Sequence, residues 1–178
     1  TNRMSPPIAP IGLDYVASSA QKAGIEVKLL DLGLAEKPDE TMKDFFAKNN
    51  PELIGITFRN ADDCFWPSAD WFVPNLKENI DKIRNFSNAP IVLGGIGFSI
   101  FARAIFDYTG VDFGIRGDGE ISTVELIRQI RRSRNFSVVP GLLWRDKGMV
   151  IENNPSWPDT ITLGTERDFI DNQTYFKR

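Results

Sequence analysis

The chain has 178 residues, 42% hydrophobic and 25% charged, the balance of one soluble globular domain with a sizeable core. A net charge of -3 lacks the basic excess of a nucleic-acid surface, and no apolar run is long enough to span a bilayer. With no histidine and one cysteine, Cys64, the sequence excludes a Ser-His-Asp triad, a Cys-His pair, a His-ligated metal, an internal disulfide and an all-cysteine metal site.

Thr1–Pro10 carries Pro6, Pro7 and Pro10 and reads as an irregular loop without a signal-peptide pattern. Together with the single cysteine, this implies a cytoplasmic setting. Ile11–Ala23 predicts a helix with Leu13, Val16, Ala17 and Ala20 on one stripe, stopped by Gly24. Glu26–Leu32 predicts a strand ending at Asp31, Leu34–Asp39 a loop, and Glu40–Lys48 a short helix. Leu53–Phe58 is a near-continuous apolar strand that runs into Arg59-Asn60-Ala61-Asp62-Asp63. Cys64–Val73 holds Phe65, Trp66, Trp71 and Phe72 without clear periodicity, and connections of this length are often functional. Pro74–Phe86 predicts a helix on Leu76, Ile80 and Ile83.

Ala89–Ser99, APIVLGGIGFS, is the organising stretch. A short apolar run between Pro90 and Gly94-Gly95 predicts a strand buried on both faces. Ser99 is a candidate cap for a helix over Ile100–Tyr108, which Gly110 ends. Val111–Ile115 is the next strand, and Ile121–Ser133 the next helix, with arginines in its last turn that complement the helix dipole. Leu142–Arg145 and Met149–Glu152 flank Asp146-Lys147-Gly148 as a hairpin. The polar tail from Asn153 is expected to bury little and to run over the surface or act as a linker.

Alternating helices and strands predict a flavodoxin-like (Rossmann-like), doubly wound parallel α/β sheet with a C-terminal β-hairpin extension. A right-handed crossover needs a strand before the first helix, so a central first strand is expected to be missing. Its open slot would favour a homo-oligomer. Residues 1–140 would form the α/β domain and residues 141–178 the hairpin and linker.

In such a sheet Thr57–Asn60, Gly94–Ser99 and Arg116–Glu120 share the edge at the strands' carboxyl ends, where open α/β sheets bind ligands. Gly94, Gly95, Gly97, Gly117 and Gly119 serve there either close backbone approach to a ligand or tight turns. Thr57, Asn60 and Ser99 are hydrogen-bonding groups, and Arg59, Arg116 and Glu120 are charges. A dinucleotide fingerprint fits poorly, because Ile100 stands where the third glycine belongs, and no P-loop lysine occurs. Asp62, Asp63, Asp118 and Glu120 read as solvated loop carboxylates rather than a metal site, and Cys64 as an inert thiol.

At these loops the sequence resembles the N-terminal cobalamin-binding domain of the cobalamin-dependent radical S-adenosylmethionine (SAM) enzymes. The resemblance lies in Pro6-Pro7 with Pro10-Ile11-Gly12-Leu13-Asp14-Tyr15, in Ala23-Gly24-Ile25-Glu26-Val27 with Asp31, and in Ile54-Gly55-Ile56-Thr57-Phe58-Arg59-Asn60. It continues in Ile91-Val92-Leu93-Gly94-Gly95, in Arg116-Gly117-Asp118-Gly119-Glu120 with Asp118 for a glutamate, and in Arg167-Asp168-Phe169-Ile170 with Tyr175-Phe176-Lys177-Arg178.

The resemblance implies a cobalamin-binding module of a radical SAM enzyme, such as a methyltransferase. Thr57, Arg59, Asn60, Gly94, Gly95, Gly97, Phe98, Ser99, Arg116, Gly117, Gly119 and Glu120 would hold the corrinoid. No histidine is present to ligate cobalt. The iron–sulfur cluster and SAM would belong to a downstream radical SAM domain, since Arg178 precedes any Cys-x3-Cys-x2-Cys motif. This stretch would then carry no catalytic centre of its own. Two other readings stand beside it: a structural or interaction domain of the same enzymes that has lost the cofactor, and a free-standing nucleotide-binding enzyme. Neither nucleic acid nor membrane is an expected partner.

Overall fold

Ile91, Val92 and Leu93 are at most 4% exposed, and the sheet is built outward from them. A computed structural model of the chain describes residues 8–63, 65–68, 70–155, 169–170 and 172–176. Strand β2 (Ile91–Gly94) lies between β1 (Ile54–Thr57) and β3 (Phe113–Ile115), parallel to both. Strand β4 (Leu142–Asp146) pairs antiparallel with β3, and β5 (Met149–Glu152) with β4. The spatial order is therefore β1-β2-β3-β4-β5, and the expected α/β sheet is present as a parallel core continued by an antiparallel hairpin. The hairpin turns at Lys147 and Gly148, both at positive φ (48° and 83°), as a two-residue hairpin turn requires.

Side chains alternate along β2. Ile91 and Leu93 enter one core with Met42, Ile80, Ile83 and Phe106, whereas Val92 enters a second with Leu126, Val139 and Leu142. The first core is covered by α2 (Pro38–Lys48), α3 (Val73–Arg84) and α5 (Ala102–Thr109). On the opposite face α6 (Gly119–Arg131) packs against β3, and α1 (Ile11–Lys22) packs on α6. Helices on both faces are what a continuous apolar strand demands. Gly24 (φ 77°) and Gly110 (φ 69°) lie just past α1 and α5, the expected left-handed stops.

Several expectations are corrected. Glu26–Leu32 forms no ladder. Its apolar residues still pack, with Leu30 and Leu32 against the first core, but a strand needs a neighbour to take its backbone groups, and no described strand lies beside it. The outer edge of β1 likewise carries no ladder among the described residues. Helix α2 begins at Pro38, inside the expected loop, because proline suits the first turn where N–H groups have no partner. The expected helix after Ser99 is instead two, α4 (Ile96–Ile100) and α5, broken at Phe101. Ser99 lies within α4, and Gly95 occupies the cap position.

The tail also differs from expectation. Ile170 and Tyr175 are 7% and 9% exposed, and α7 (Asn172–Phe176) folds back onto the domain. Cys64, Thr1–Pro7, Arg167-Asp168 and Lys177-Arg178 lie outside the described residues.

Candidate functional site

Because β1, β2 and β3 are parallel, the loops that follow them meet at one edge. Phe58 is the hub. Its N–H donates to the Gly94 carbonyl at 2.8 Å, and its carbonyl accepts from Gly97 N–H at 3.0 Å and Phe98 N–H at 3.3 Å. Ser99 joins the second loop to the third: its Oγ donates to the Gly95 carbonyl (3.0 Å) and accepts from Gly117 N–H (3.1 Å). Arg116 N–H in turn donates to the Gly141 carbonyl at 2.9 Å. The three expected loops therefore form one hydrogen-bonded unit.

The glycines act differently from the ligand-approach reading. A β-carbon on Gly95 would stand 2.7 Å from the Phe58 carbonyl oxygen, and one on Gly97 2.8 Å from the Arg59 carbonyl. Both glycines thus let the second loop lie flat on the first, and their bare faces point at protein. A β-carbon on Gly94 would make only ordinary contact, 3.7 Å from the Ile115 carbonyl oxygen. On Gly119 it would stand 3.0 Å from Val16 Cγ2, so this glycine serves the approach of α1 to α6. Gly117 has φ 95°, a backbone state that glycine adopts without strain.

The side chains divide in the same way. Phe98 is fully buried and packs against the bare face of Gly114, so it belongs to the core and offers no surface to a ligand. Ser99 spends its hydroxyl on two backbone groups. Thr57, Arg59 and Arg116 are exposed, while Asn60 and Glu120 are half-buried. Neither the Arg59 nor the Arg116 guanidinium makes a hydrogen bond or ion pair with a described residue. Glu120 sits in the first turn of α6, where its charge favours the helix dipole. Among the described residues no cluster of acidic and sulfur side chains is arranged to hold a metal ion. Asp63 accepts from Phe65 N–H and the Ser68 hydroxyl, and these bonds, the Ser68 one first, hold its carboxyl below the usual range.

Three features were not named as site residues from the sequence. Ile96 and Ile100 are 62% and 64% exposed on α4, which is followed by Phe101, whose ring meets Trp71 edge-to-face at 5.7 Å. Ile96 and Ile100, one turn apart, leave apolar surface exposed on the helix that belongs to the second loop. The aromatic run of 65–72 was the signal, but without periodicity it had no direction. A groove of about 240 Å³ runs from Ser99 and Phe101 to Arg116 and Glu152. Finally, the returning tail is tied at two points. Phe169 N–H donates to Asp14 Oδ1 at 3.3 Å, and the Tyr175 hydroxyl donates to Asp31 Oδ2. Burial, reinforced by the Asp31 carboxylate, pushes the Tyr175 phenol above its ordinary pKa.

A family model described as the B12-binding domain matches residues 4–127. The tryptophan 2-C-methyltransferase of Streptomyces laurentii is 36% identical over 145 residues, which make up 80% of this chain and 24% of that enzyme. The hopanoid C-3 methylase of Methylococcus capsulatus is 28% identical over 142 residues, 76% of this chain and 25% of that protein. Among solved structures, the radical SAM methyltransferase TsrM from Kitasatospora setae, with tryptophan and a SAM analogue bound, superposes with a TM-score of 0.86 and 31% identity. That match covers 99% of this chain and 36% of TsrM. TsrM with cobalamin and a [4Fe-4S] cluster bound gives a TM-score of 0.80, 34% identity, and coverage of 86% of this chain and 29% of TsrM. The chain thus spans between about a quarter and a third of the length of these relatives. Among the described residues no helix is long and apolar enough to cross a membrane.

Proposed function

The chain belongs to the B12-binding domain family, and from that premise we propose that it is the corrinoid-holding portion of a radical SAM methyltransferase. The observation that carries this is the joining of three strand-end loops through Phe58 and Ser99 into one surface, with Ile96 and Ile100 exposed on the helix of the second loop. A corrinoid is a broad ring system with apolar faces and a rim of amides and a phosphate. The exposed Ile96 and Ile100 suit a face, and the uncommitted groups of Thr57, Arg59, Arg116 and Glu120, with Asn60 in the same loops, suit the rim. Gly94, Gly95, Gly97, Gly117 and Gly119 shape the surface, and Phe98 and Ser99 hold it from behind.

With no histidine in the sequence, this stretch would offer bound cobalamin no imidazole ligand of its own. Bound cobalamin supplies methyl-carrying chemistry. In this reading the chain's own residues bind and orient it, while a radical SAM domain of the same longer polypeptide brings the iron–sulfur cluster and SAM. The setting is cytoplasmic, in keeping with one cysteine in 178 residues.

The test is titration with hydroxocobalamin followed by its visible spectrum. Binding with a spectrum that shows neither the cofactor's own base nor an imidazole on cobalt is expected. Arg59→Ala and Arg116→Ala should weaken binding without changing the melting temperature. A base-on spectrum, or binding untouched by both substitutions, rejects the site. No binding by the wild type favours a structural role beside the radical SAM domain.

A further inference from the structure

We propose that Phe65 and Trp66, held at the end of a hairpin finger that follows the first site loop, are the anchor by which this domain docks onto the radical SAM domain of its own polypeptide. The partner rests on the reading above; the finger rests on geometry alone.

Residues 61–63 leave the Thr57–Asn60 loop, and residues 70–72 return antiparallel to them. Asp62 and Trp71 form a bridge. Phe72 N–H donates to the Ala61 carbonyl at 2.8 Å, and Asp63 N–H to the Asp70 carbonyl at 3.1 Å. The base of the finger is sunk in the first core through Ala61 and Val73, with Phe72 packed against it. Its return arm reaches the end of the second loop, where the Trp71 ring meets Phe101. The far end is fixed as well, since Asp63 accepts from Phe65 N–H at 3.1 Å and from the Ser68 hydroxyl. Yet Phe65 is 63% and Trp66 88% exposed. An ordered turn that holds two aromatic rings in water matches the anchors that dominate protein interfaces.

Charge and area select the occupant. Asp62, Asp63 and Asp70 stand on the arms, and no lysine or arginine occurs from Asn60 to Leu76. This acidic rim repels a corrinoid phosphate, a nucleic acid and an anionic membrane. A net charge of -3 also makes a second copy of the chain a poor match. A protein face with an apolar pocket and a basic rim fits. Two aromatic side chains bury about 300–500 Å², short of the roughly 800 Å² a side that a free-standing complex needs. A domain tethered in the same chain needs less, because the tether holds it at a high effective concentration. In relatives of which this chain spans about a quarter to a third, such a body is present.

The test uses the full-length polypeptide without cofactor. Hydroxyl radicals oxidise its tryptophans beside a tryptophan-bearing reference peptide in the same solution. A Trp66 left as exposed as this domain leaves it reacts at nearly the rate of the peptide. A docked Trp66 should react about tenfold more slowly, a closed-to-open ratio within reach of a tethered contact. In a second sample Trp66→p-benzoylphenylalanine is irradiated and should cross-link to the radical SAM domain of the same chain. Oxidation at nearly the rate of the peptide overturns the docking. Protection that appears only when hydroxocobalamin is added makes the corrinoid the occupant and also overturns it. A cross-link to a second copy or elsewhere, or none, overturns the partner. The corrinoid reading fails separately, in a wild type that does not bind hydroxocobalamin, because Trp66 oxidation is read without it.

Discussion

Gly97 lies so close to Arg59 that a β-carbon on it would stand 2.8 Å from the Arg59 carbonyl oxygen. The second loop of the site is therefore seated on the backbone of the first, and glycine is required there by protein contact. Gly97→Ala and Gly95→Ala should each destabilise the domain by about 1–3 kcal/mol in urea denaturation, Gly95 also because its φ is 98°. Gly12→Ala is the control. It sits on the exposed side of α1 with nothing within 4 Å and should be neutral or stabilise by up to about 1 kcal/mol.

Ser99→Ala removes the hydroxyl that receives Gly117 N–H and reaches the Gly95 carbonyl. The half-buried Gly117 donor loses its partner, so a loss of about 1–2 kcal/mol is expected. Amide exchange at Gly117 should accelerate more than at Leu93, in the central strand, or at Ile91, whose N–H donates to Asp112 Oδ2 at 2.7 Å.

Phe98 separates core from site. It is fully buried and faces Gly114, so Phe98→Ala should cost about 3–5 kcal/mol by leaving a cavity. Gly114→Ala places a methyl group where the Phe98 ring stands and should cost about 1–3 kcal/mol by overpacking. Equal melting temperatures for wild type and both variants would refute this placement.

The Tyr175 phenol titrates above its ordinary value because it is buried and donates to Asp31. The folded chain thus keeps the proton longer than the unfolded one. The tie contributes fully below the unfolded phenol pKa of about 10 and is lost as pH rises beyond it. Stability of wild type relative to Tyr175→Phe should therefore be constant at neutral pH and fall only in strong alkali. Denaturation series across that range check the sign.

The outer edge of β1 bears no ladder among the described residues. Exposed edges invite strand addition, and concentration-dependent association is the expected behaviour in sedimentation. Gly55, exposed on β1, has ordinary room for a β-carbon at 3.9 Å from Val92. Gly55→Lys should weaken that association. A monomer at every concentration would argue against the edge as an interface.

Much of this molecule was legible from sequence because short-range sterics decide it. The apolar run Ile91–Leu93 could only be a strand buried on both faces, and Gly24, Gly110 and Lys147-Gly148 mark stops and a turn that depend on their own φ angles. Parallel strands then forced the Thr57–Asn60, Gly94–Ser99 and Arg116–Glu120 loops to one edge. Tertiary structure alone decided what each residue does there. Gly95 and Gly97 point at Phe58 and Arg59, Phe98 fills the core, and Ser99 binds Gly117 across 18 residues instead of capping a helix. It also decided that 26–32 packs Leu30 and Leu32 on the core without forming a ladder, and that Tyr175 returns 144 residues along the chain to Asp31. A hydrogen-bond partner or a neighbouring backbone far away in sequence leaves no periodic trace in the residues it selects, so direction and pairing appear only once the chain has folded.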